Sequence, residues 1–324
     1  MDGKAIRQLL GEDWNRVNSL LRTTVHSDVP LLDDINSSLL DNAGKMLRPA
    51  LTLLFAKACG GGAAGEESIR KAAAVEILHN ATLLHDDVAD EAMIRRGSPT
   101  VMSRFGPVPA VLVGDYWLAS AVGLVCESSD LKWTLERFGR TLTDLAEGEM
   151  LQQQKAFLAD TTMEEYLRII YCKTASLFVL SCSAGAKSVG ASEVMMQAAE
   201  DYGRALGIAF QIRDDILDYA GDAKTGKPVG IDIREQKITL PLLGVLNSGA
   251  DEKALREMIR DIPAHPENCG RIRDFVLRNG GVEYAEDRLK EYVADAQRAL
   301  QALPPSPWRD VLSAIADNNA NREK

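Results

Sequence analysis

Two aspartate-rich pentads carry the densest chemistry in the chain, Asp86-Asp87-Val88-Ala89-Asp90 and Asp214-Asp215-Ile216-Leu217-Asp218. Their first residues lie 128 positions apart (214 minus 86), so they are not one local feature written twice. On a helix, residues four apart lie one above the other, which places Asp86 over Asp90 and Asp214 over Asp218. Like charges that close repel unless a cation neutralises them. Hard carboxylate oxygens select Mg²⁺, which binds through one or two carboxylates together with substrate phosphates. One such pentad reads equally well as a solvated helix face, but at average composition a single copy is expected only about 0.1 times in a chain of this length. The flanking Leu83, Leu84, Ile212 and Ile216 mark partly buried helices, and carboxylates beside a core need partners.

Basic residues gather at the turns before and after the acidic helices: Lys45 and Arg48, Arg95 and Arg96, Lys227 and Lys237. Singly, each is ordinary surface solvation. Around two carboxylate racks they fit a diphosphate, some of whose oxygens bridge Mg²⁺ while Arg forks and Lys point charges take the others. Mg²⁺ on an ester diphosphate turns it into a leaving group by neutralising charge as the C–O bond breaks. A carbocation and its tail then need an apolar cavity, which the run Val108 to Cys126 could line.

The elements that must position these groups are helical. Strict apolar–polar alternation is almost absent, while i, i+3, i+4 patterns recur at Ala72-Val75-Glu76-Ile77-Leu78, Tyr166-Ile169-Ile170 and Ala205-Ile208-Ala209-Ile212, so the expected fold class is all-α. Breakers stand at Pro30, Cys59 to Gly62, Arg96 to Pro99, Gly221 to Gly230, Asn279 to Gly281 and Pro304-Pro305, with long helices between them. Asp251 to Arg260 and Glu283 to Arg298 read as solvated amphipathic helices. The 324 residues are 46% hydrophobic and 26% charged, and no Pro/Ser-rich linker or charge block divides them, so one domain over 1–324 is expected.

A net charge of −10 disfavours nucleic acid and anionic membrane surfaces as partners. Cys59, Cys126, Cys172, Cys182 and Cys269 are odd in number and scattered, which predicts reduced thiols without zinc spacing. Asp2, Glu12 and Asp13 with no apolar h-region predict no signal peptide and a cytoplasmic protein. Val108 to Cys126 approaches membrane-span length but holds Pro109 and Asp115; it is expected to be a helix buried on all sides or lining a cavity, so no transmembrane segment is expected.

Several stretches together resemble the trans-isoprenyl diphosphate synthases: Gly44-Lys45-Met46-Leu47-Arg48-Pro49; His79-Asn80-Ala81-Thr82-Leu83-Leu84-His85 running into the first pentad, with Arg95-Arg96-Gly97; Lys173-Thr174; Phe210-Gln211-Ile212-Arg213 running into the second pentad; Gly226-Lys227-Pro228-Val229-Gly230-Ile231-Asp232; and Lys237-Ile238-Thr239-Leu240-Pro241. The resemblance implies a helical bundle around a central cavity, a homodimer, and head-to-tail condensation of isopentenyl diphosphate with an allylic diphosphate. Carried over residue by residue, Asp86, Asp87, Asp90, Asp214, Asp215 and Asp218 hold Mg²⁺, three ions with substrate bound, on the allylic diphosphate. Arg95, Lys173, Lys227 and Lys237 meet that diphosphate's oxygens, while Lys45, Arg48, His79 and Arg96 take isopentenyl diphosphate. Thr174 and Gln211 sit beside the developing cation, and the released diphosphate serves as base. Met46 departs from the pattern, since many relatives carry a basic residue there.

Glu76-x-x-His79 also fits half of a di-iron bundle, but no second Glu-x-x-His exists in the chain. Terpene cyclases share the first Asp-rich motif and typically carry Asn/Ser/Glu in place of a second pentad. Non-catalytic partner subunits of the family tend to lose the pentads, and this chain keeps both. Within the family, bulky residues four and five before the first Asp close the pocket early. Here they are Thr82 and Ala81, which resembles the long-chain synthases that make quinone side chains, with the tail stopping against Trp117, Leu124 or Val125; a C15 or C20 product is the alternative.

Overall fold

The computed structural model describes residues 3–95, 97–221, 230–247 and 252–320. In chain order the elements are α1 (Gly3–Thr24), α2 (Pro30–Asp41), α3 (Leu47–Cys59), α4 (Glu66–Ala89), the two-residue strands β1 (Ile94–Arg95) and β2 (Ser98–Pro99), α5 (Val101–Phe105), α6 (Pro107–Cys126), α7 (Leu131–Leu158), α8 (Met163–Ile170), a π-helical turn (Tyr171–Ala175), α9 (Ser176–Ser188) and α10 (Glu193–Ala220). Then come α11 (Ile231–Arg234), α12 (Leu240–Leu246), α13 (Glu252–Arg260), α14 (Asn268–Arg278), α15 (Gly281–Ala299), a 3₁₀ turn (Leu300–Ala302) and α16 (Pro307–Ala320). The protein is all-α; β1 and β2 form one short antiparallel hairpin. Pro30 opens α2, Gly61 follows the end of α3 with φ 65° and Gly280 precedes α15 with φ 75°, as their backbone preferences allow.

Contacts divide the chain into two compact units, each discontinuous in sequence. One comprises Met1–Gly139, Leu180–Glu200 and Ala302–Leu312, the other Arg140–Val179, Asp201–Gln301 and Ser313–Lys324. The boundaries fall inside helices α7, α9, α10 and α16 rather than in linkers.

In the first unit α4 is the central element, with α1, α3 and α6 packed against it. Every residue from Lys71 to His79 is buried, so this stretch has no polar face to show solvent. Glu66 and Glu67 in its first turn favour the positive end of the helix dipole. Trp117 of α6 is fully buried and donates its indole N–H to Asn36 Oδ1 at 2.8 Å, and the Asn36 amide donates to the Val25 carbonyl at 2.6 Å. That chain ties α6 to α2 and to the end of α1.

One expectation fails here. Helix α6 buries only one face, through residues such as Val113, Trp117, Ala121 and Val125, while Val108 is 67%, Leu112 62% and Val122 43% exposed. The reason is that α6 is apolar nearly all round, yet its own chain covers only the sides toward α4, α5 and Asn36 of α2. Among the described residues two segments are long and apolar enough to cross a membrane, α6 and the run Met163–Ser188, which the sequence reading passed over and whose most apolar stretch is 83% buried inside the protein.

In the second unit α8 begins with a capping box, in which Thr162 Oγ1 accepts from the Glu165 backbone N–H and the Glu165 carboxylate accepts from that of Thr162. It continues into the π-helical turn, a wider winding frequent at functional sites. Two glycines make room for this turn. A Cβ at Gly207 of α10 would lie 2.5 Å from Ala175 Cα, and one at Gly148 of α7 would lie 2.6 Å from Cys172 Cβ. Helices α13 and α15 are the amphipathic elements expected, burying Leu255 and Ile259, and Leu289 and Val293, respectively.

Candidate active site

Both pentads lie near the C-terminal end of a helix, the first in its last turn and the second beginning at Asp214, six residues before the end of α10. Asp90 is the C-cap of α4, and α10 ends two residues after Asp218. The C-terminal end of a helix carries partial negative charge, and neither last turn holds a basic residue to offset it. The dipole therefore opposes Asp86, Asp87 and Asp90 at the end of α4 and Asp218 at the end of α10, an arrangement that cations relieve.

In the first unit, Asp86 is half-buried, Asp90 exposed and Asp87 buried, with Arg95 Nε donating to Asp87 Oδ1 at 2.5 Å across the short hairpin. One and two turns earlier on α4 stand Thr82, whose hydroxyl donates to the His79 carbonyl, and His79 itself, whose Nε2 lies 3.0 Å from Arg48 Nη1. The geometry thus joins Arg48 to His79 and Arg95 to Asp87. Lys45 is exposed just before α3. Met46 caps α3 in the left-handed region (φ 49°) with its side chain buried, so position 46 turns inward here. Of the four non-glycine residues with positive φ among those described, Met46, Glu91 and Gln236 neighbour candidate site residues, as strained backbone at ligand sites tends to. A cavity of about 340 Å³ borders Asp87 and Arg95, walled by residues such as Ile35, Leu39, Asn80 and Leu84; Ala81, buried, and Thr82 do not line it.

In the second unit a chain of hydrogen bonds runs behind the pentad. The Thr174 hydroxyl donates to Gln211 Oε1 (2.8 Å), the Gln211 amide to Asp215 Oδ1 (3.0 Å), and the Tyr166 hydroxyl to Asp215 Oδ2 (2.6 Å). Asp218 accepts the backbone N–H groups of Ile231 and Asp232 at 3.0 and 3.1 Å, which docks the start of α11 on the pentad. Burial raises the Asp215 carboxyl well above the ordinary range despite its donors, and raises Asp218 as well. Burial, then repulsion from Asp215 and Asp218, does the same to Asp232. Three neighbouring carboxylates are thus each held in surroundings that disfavour their charge, as expected where a cation belongs. Lys173 pairs with Glu149 at 2.5 Å; burial alone would raise the Glu149 carboxyl, but that ion pair holds it below its usual value. A cavity of about 150 Å³ is lined by Tyr166, Lys173, Gln211, Asp215, Asp232 and Lys237. Lys237 lies 2.5 Å from Glu235.

Arg96 and Lys227 lie outside the described residues. Sequence reasoning gave no site role to Tyr166, Glu149 or Asp232. Tyr166 had entered only as part of an apolar helical pattern, and no spacing rule links it to a residue 49 positions on.

Comparison with known proteins decides the family. The profile described as polyprenyl synthetase matches residues 29–276. The chain belongs to that family. It is 36% identical to the octaprenyl diphosphate synthase of Escherichia coli, over 100% of both chains. A decaprenyl diphosphate synthase structure from Rhodobacter capsulatus superposes with a TM-score of 0.92 at 35% identity, covering 99% of each chain. The polyprenyl synthase of Caulobacter crescentus, solved with calcium and isoprenyl diphosphate, gives 0.90 at 36% identity, covering 100% of this chain and 98% of its own. The protein is a long-chain all-trans prenyltransferase, and its family generally depends on Mg²⁺ and uses isopentenyl and allylic diphosphates.

Proposed function

We propose that this chain condenses isopentenyl diphosphate with an allylic diphosphate, repeatedly and head to tail, to give a long-chain all-trans polyprenyl diphosphate. The observation that carries the reading is the pair of carboxylate clusters, each near the C-terminal end of a helix and flanked by cationic side chains. Among the described residues no three acidic, His or Cys side chains converge into a ready-made metal cage. The donor set fits Mg²⁺ all the same, because that ion characteristically takes one or two carboxylates and completes its shell with substrate phosphate and water. Bound there, Mg²⁺ would supply Lewis-acid neutralisation of the leaving diphosphate. Asp86, Asp90, Asp214 and Asp218 are the members we assign as ligands, with Asp87 left to Arg95 and Asp215 to Tyr166 and Gln211.

Lys173 and Lys237, with Arg95, orient the allylic diphosphate; Lys227 completes that set in our reading. Lys45, Arg48 and His79, with Arg96, bind the diphosphate of isopentenyl diphosphate. The allylic C–O bond breaks with its electron pair leaving on diphosphate, the isopentenyl double bond attacks the cation, and the departing diphosphate removes the proton. Chromatography of products made from radiolabelled isopentenyl diphosphate and an allylic primer tests the whole reading. Long polyprenyl diphosphates are expected, and only C15 or C20 products would replace the long-chain assignment by the short-chain one.

Arg48→Ala is expected to raise the KM for isopentenyl diphosphate at least about tenfold more than that for the allylic substrate, since charge-assisted hydrogen bonds are worth about 1.5–3 kcal/mol. Equal rises in both would reduce Arg48 to a structural partner of His79. A homodimer is the assembly we propose, with Val108, Leu112 and Val122 of α6 covered by a second copy, in a protein that acts in the cytoplasm. Light scattering at micromolar concentration should report twice the 35.3 kDa chain mass. An active monomer would reject this.

A further inference from the structure

The hydrogen bonds behind the second pentad have a direction, and it bears on the cation rather than on the metal. An ionised carboxylate only accepts, so Asp215 requires donors at both oxygens, and it has them in the Gln211 amide and the Tyr166 hydroxyl. With the amide N–H turned to Asp215, the other end of Gln211 must present its carbonyl oxygen, and that oxygen receives the Thr174 hydroxyl. A flipped amide would set N–H groups against Asp215's neighbour Thr174 and leave Asp215 facing another acceptor. Oε1 keeps a second lone pair after Thr174 is satisfied, and Gln211 lines the 150 Å³ cavity beside Lys173. Tyr166 is 2% exposed, and its hydroxyl donates to Asp215 Oδ2 at 2.6 Å. A phenylalanine would fill the same space. The hydroxyl therefore has one partner to serve, Asp215.

We propose that Tyr166 and Asp215 are positioning residues that lock the Gln211 amide with its oxygen toward the allylic carbon, so that a fixed dipole meets the positive charge as the C–O bond breaks. The inference rests on the reaction proposed above and assigns Asp215 to the cation stage instead of the metal shell. A dipole held in place needs no reorganisation when charge develops, which is why its fixing matters more than its presence.

Tyr166→Phe tests this. The expected result is a fall in kcat of about tenfold, the scale of one weakened electrostatic contact in the transition state, with KM for both substrates within about twofold of wild type. Mn²⁺ affinity measured by electron paramagnetic resonance, in the presence of inorganic diphosphate, should also stay within about twofold, because the hydroxyl does not reach a metal ligand. In a Gln211→Ala background the same substitution should cost less than about twofold more, since it acts only through the amide. An unchanged kcat, a weakened Mn²⁺ site, or full additivity with Gln211→Ala would each overturn the proposal. Should Tyr166→Phe melt below the assay temperature, Asp215→Asn replaces it, with the same expected kcat loss, Mn²⁺ affinity and non-additivity. A wild-type protein that does not consume isopentenyl diphosphate would sink the reaction itself, whereas an active one with additive effects would sink only the positioning role.

Discussion

Asp214→Ala is expected to slow turnover about 10²- to 10⁴-fold at saturating Mg²⁺, and Asp86→Ala to do the same. Lewis-acid stabilisation of a leaving diphosphate is worth several kcal/mol, and each 1.36 kcal/mol is a factor of ten in rate. For Asp86 the stability change should run the other way, because it stands in the last turn of α4, where the negative end of the helix dipole opposes its carboxylate by about 0.3–1 kcal/mol. A thermal midpoint equal to or above that of the metal-free wild type, combined with a large loss of kcat, separates a ligand from a structural residue. Near-wild-type turnover in Asp86→Ala or Asp214→Ala, or full wild-type activity in excess chelator, would remove the pentads from the mechanism.

The pentads were legible in sequence because their chemistry is carried by residue type and a four-residue spacing that a helix converts directly into proximity. Helix ends were legible where a backbone preference favours them, as at Pro30, Gly61 and Gly280. Other features had no local signature. The Thr174–Gln211–Asp215–Tyr166 chain joins ordinary residues 37 and 49 positions apart, and only tertiary packing brings them together. The π-helical turn that carries Lys173 and Thr174 depends on Gly148 and Gly207 on two other helices, and neither glycine stands near it in sequence.

Helix α6 misled for a different reason. Uniform apolarity cannot say whether the second face is covered by the same chain, and here Val108 and Leu112 are more than half exposed. A single domain was expected because no linker divides the chain; its contacts group into two compact units whose boundaries pass through helices and one 3₁₀ turn, so that grouping leaves no mark in composition. Met46, the one departure in a core motif, proved to be a buried cap with left-handed backbone, a state that sequence does not announce for a residue other than Gly, Asn or Asp.

Ala81→Phe is expected to shorten the product while leaving the first condensation active. Ala81 is 1% exposed, and on α4 it shares a face with Leu78 and His85, three before it and four after it. His85 Nε2 lies 3.2 Å from Asp115 of α6, so this is the face turned to α6 rather than to the cavity beside Asp87. In our reading the growing tail passes along that seam, toward Trp117, which Asn36 fixes from behind through the indole N–H. A phenylalanine ring there must displace either the tail or its neighbours. Forced overpacking costs about 1–3 kcal/mol, enough to make release compete with further elongation once the tail reaches that depth. The pentads and the Arg48–His79 pair are not on this face, so initial rates with a short allylic primer should stay within about threefold of wild type, a difference below 1 kcal/mol. Chromatography of dephosphorylated products should then show the main peak moved to shorter chains. A folded and active variant with the wild-type product distribution would mean that the tail does not pass Ala81, and the assignment of chain length to Ala81 and Thr82 would fall with it.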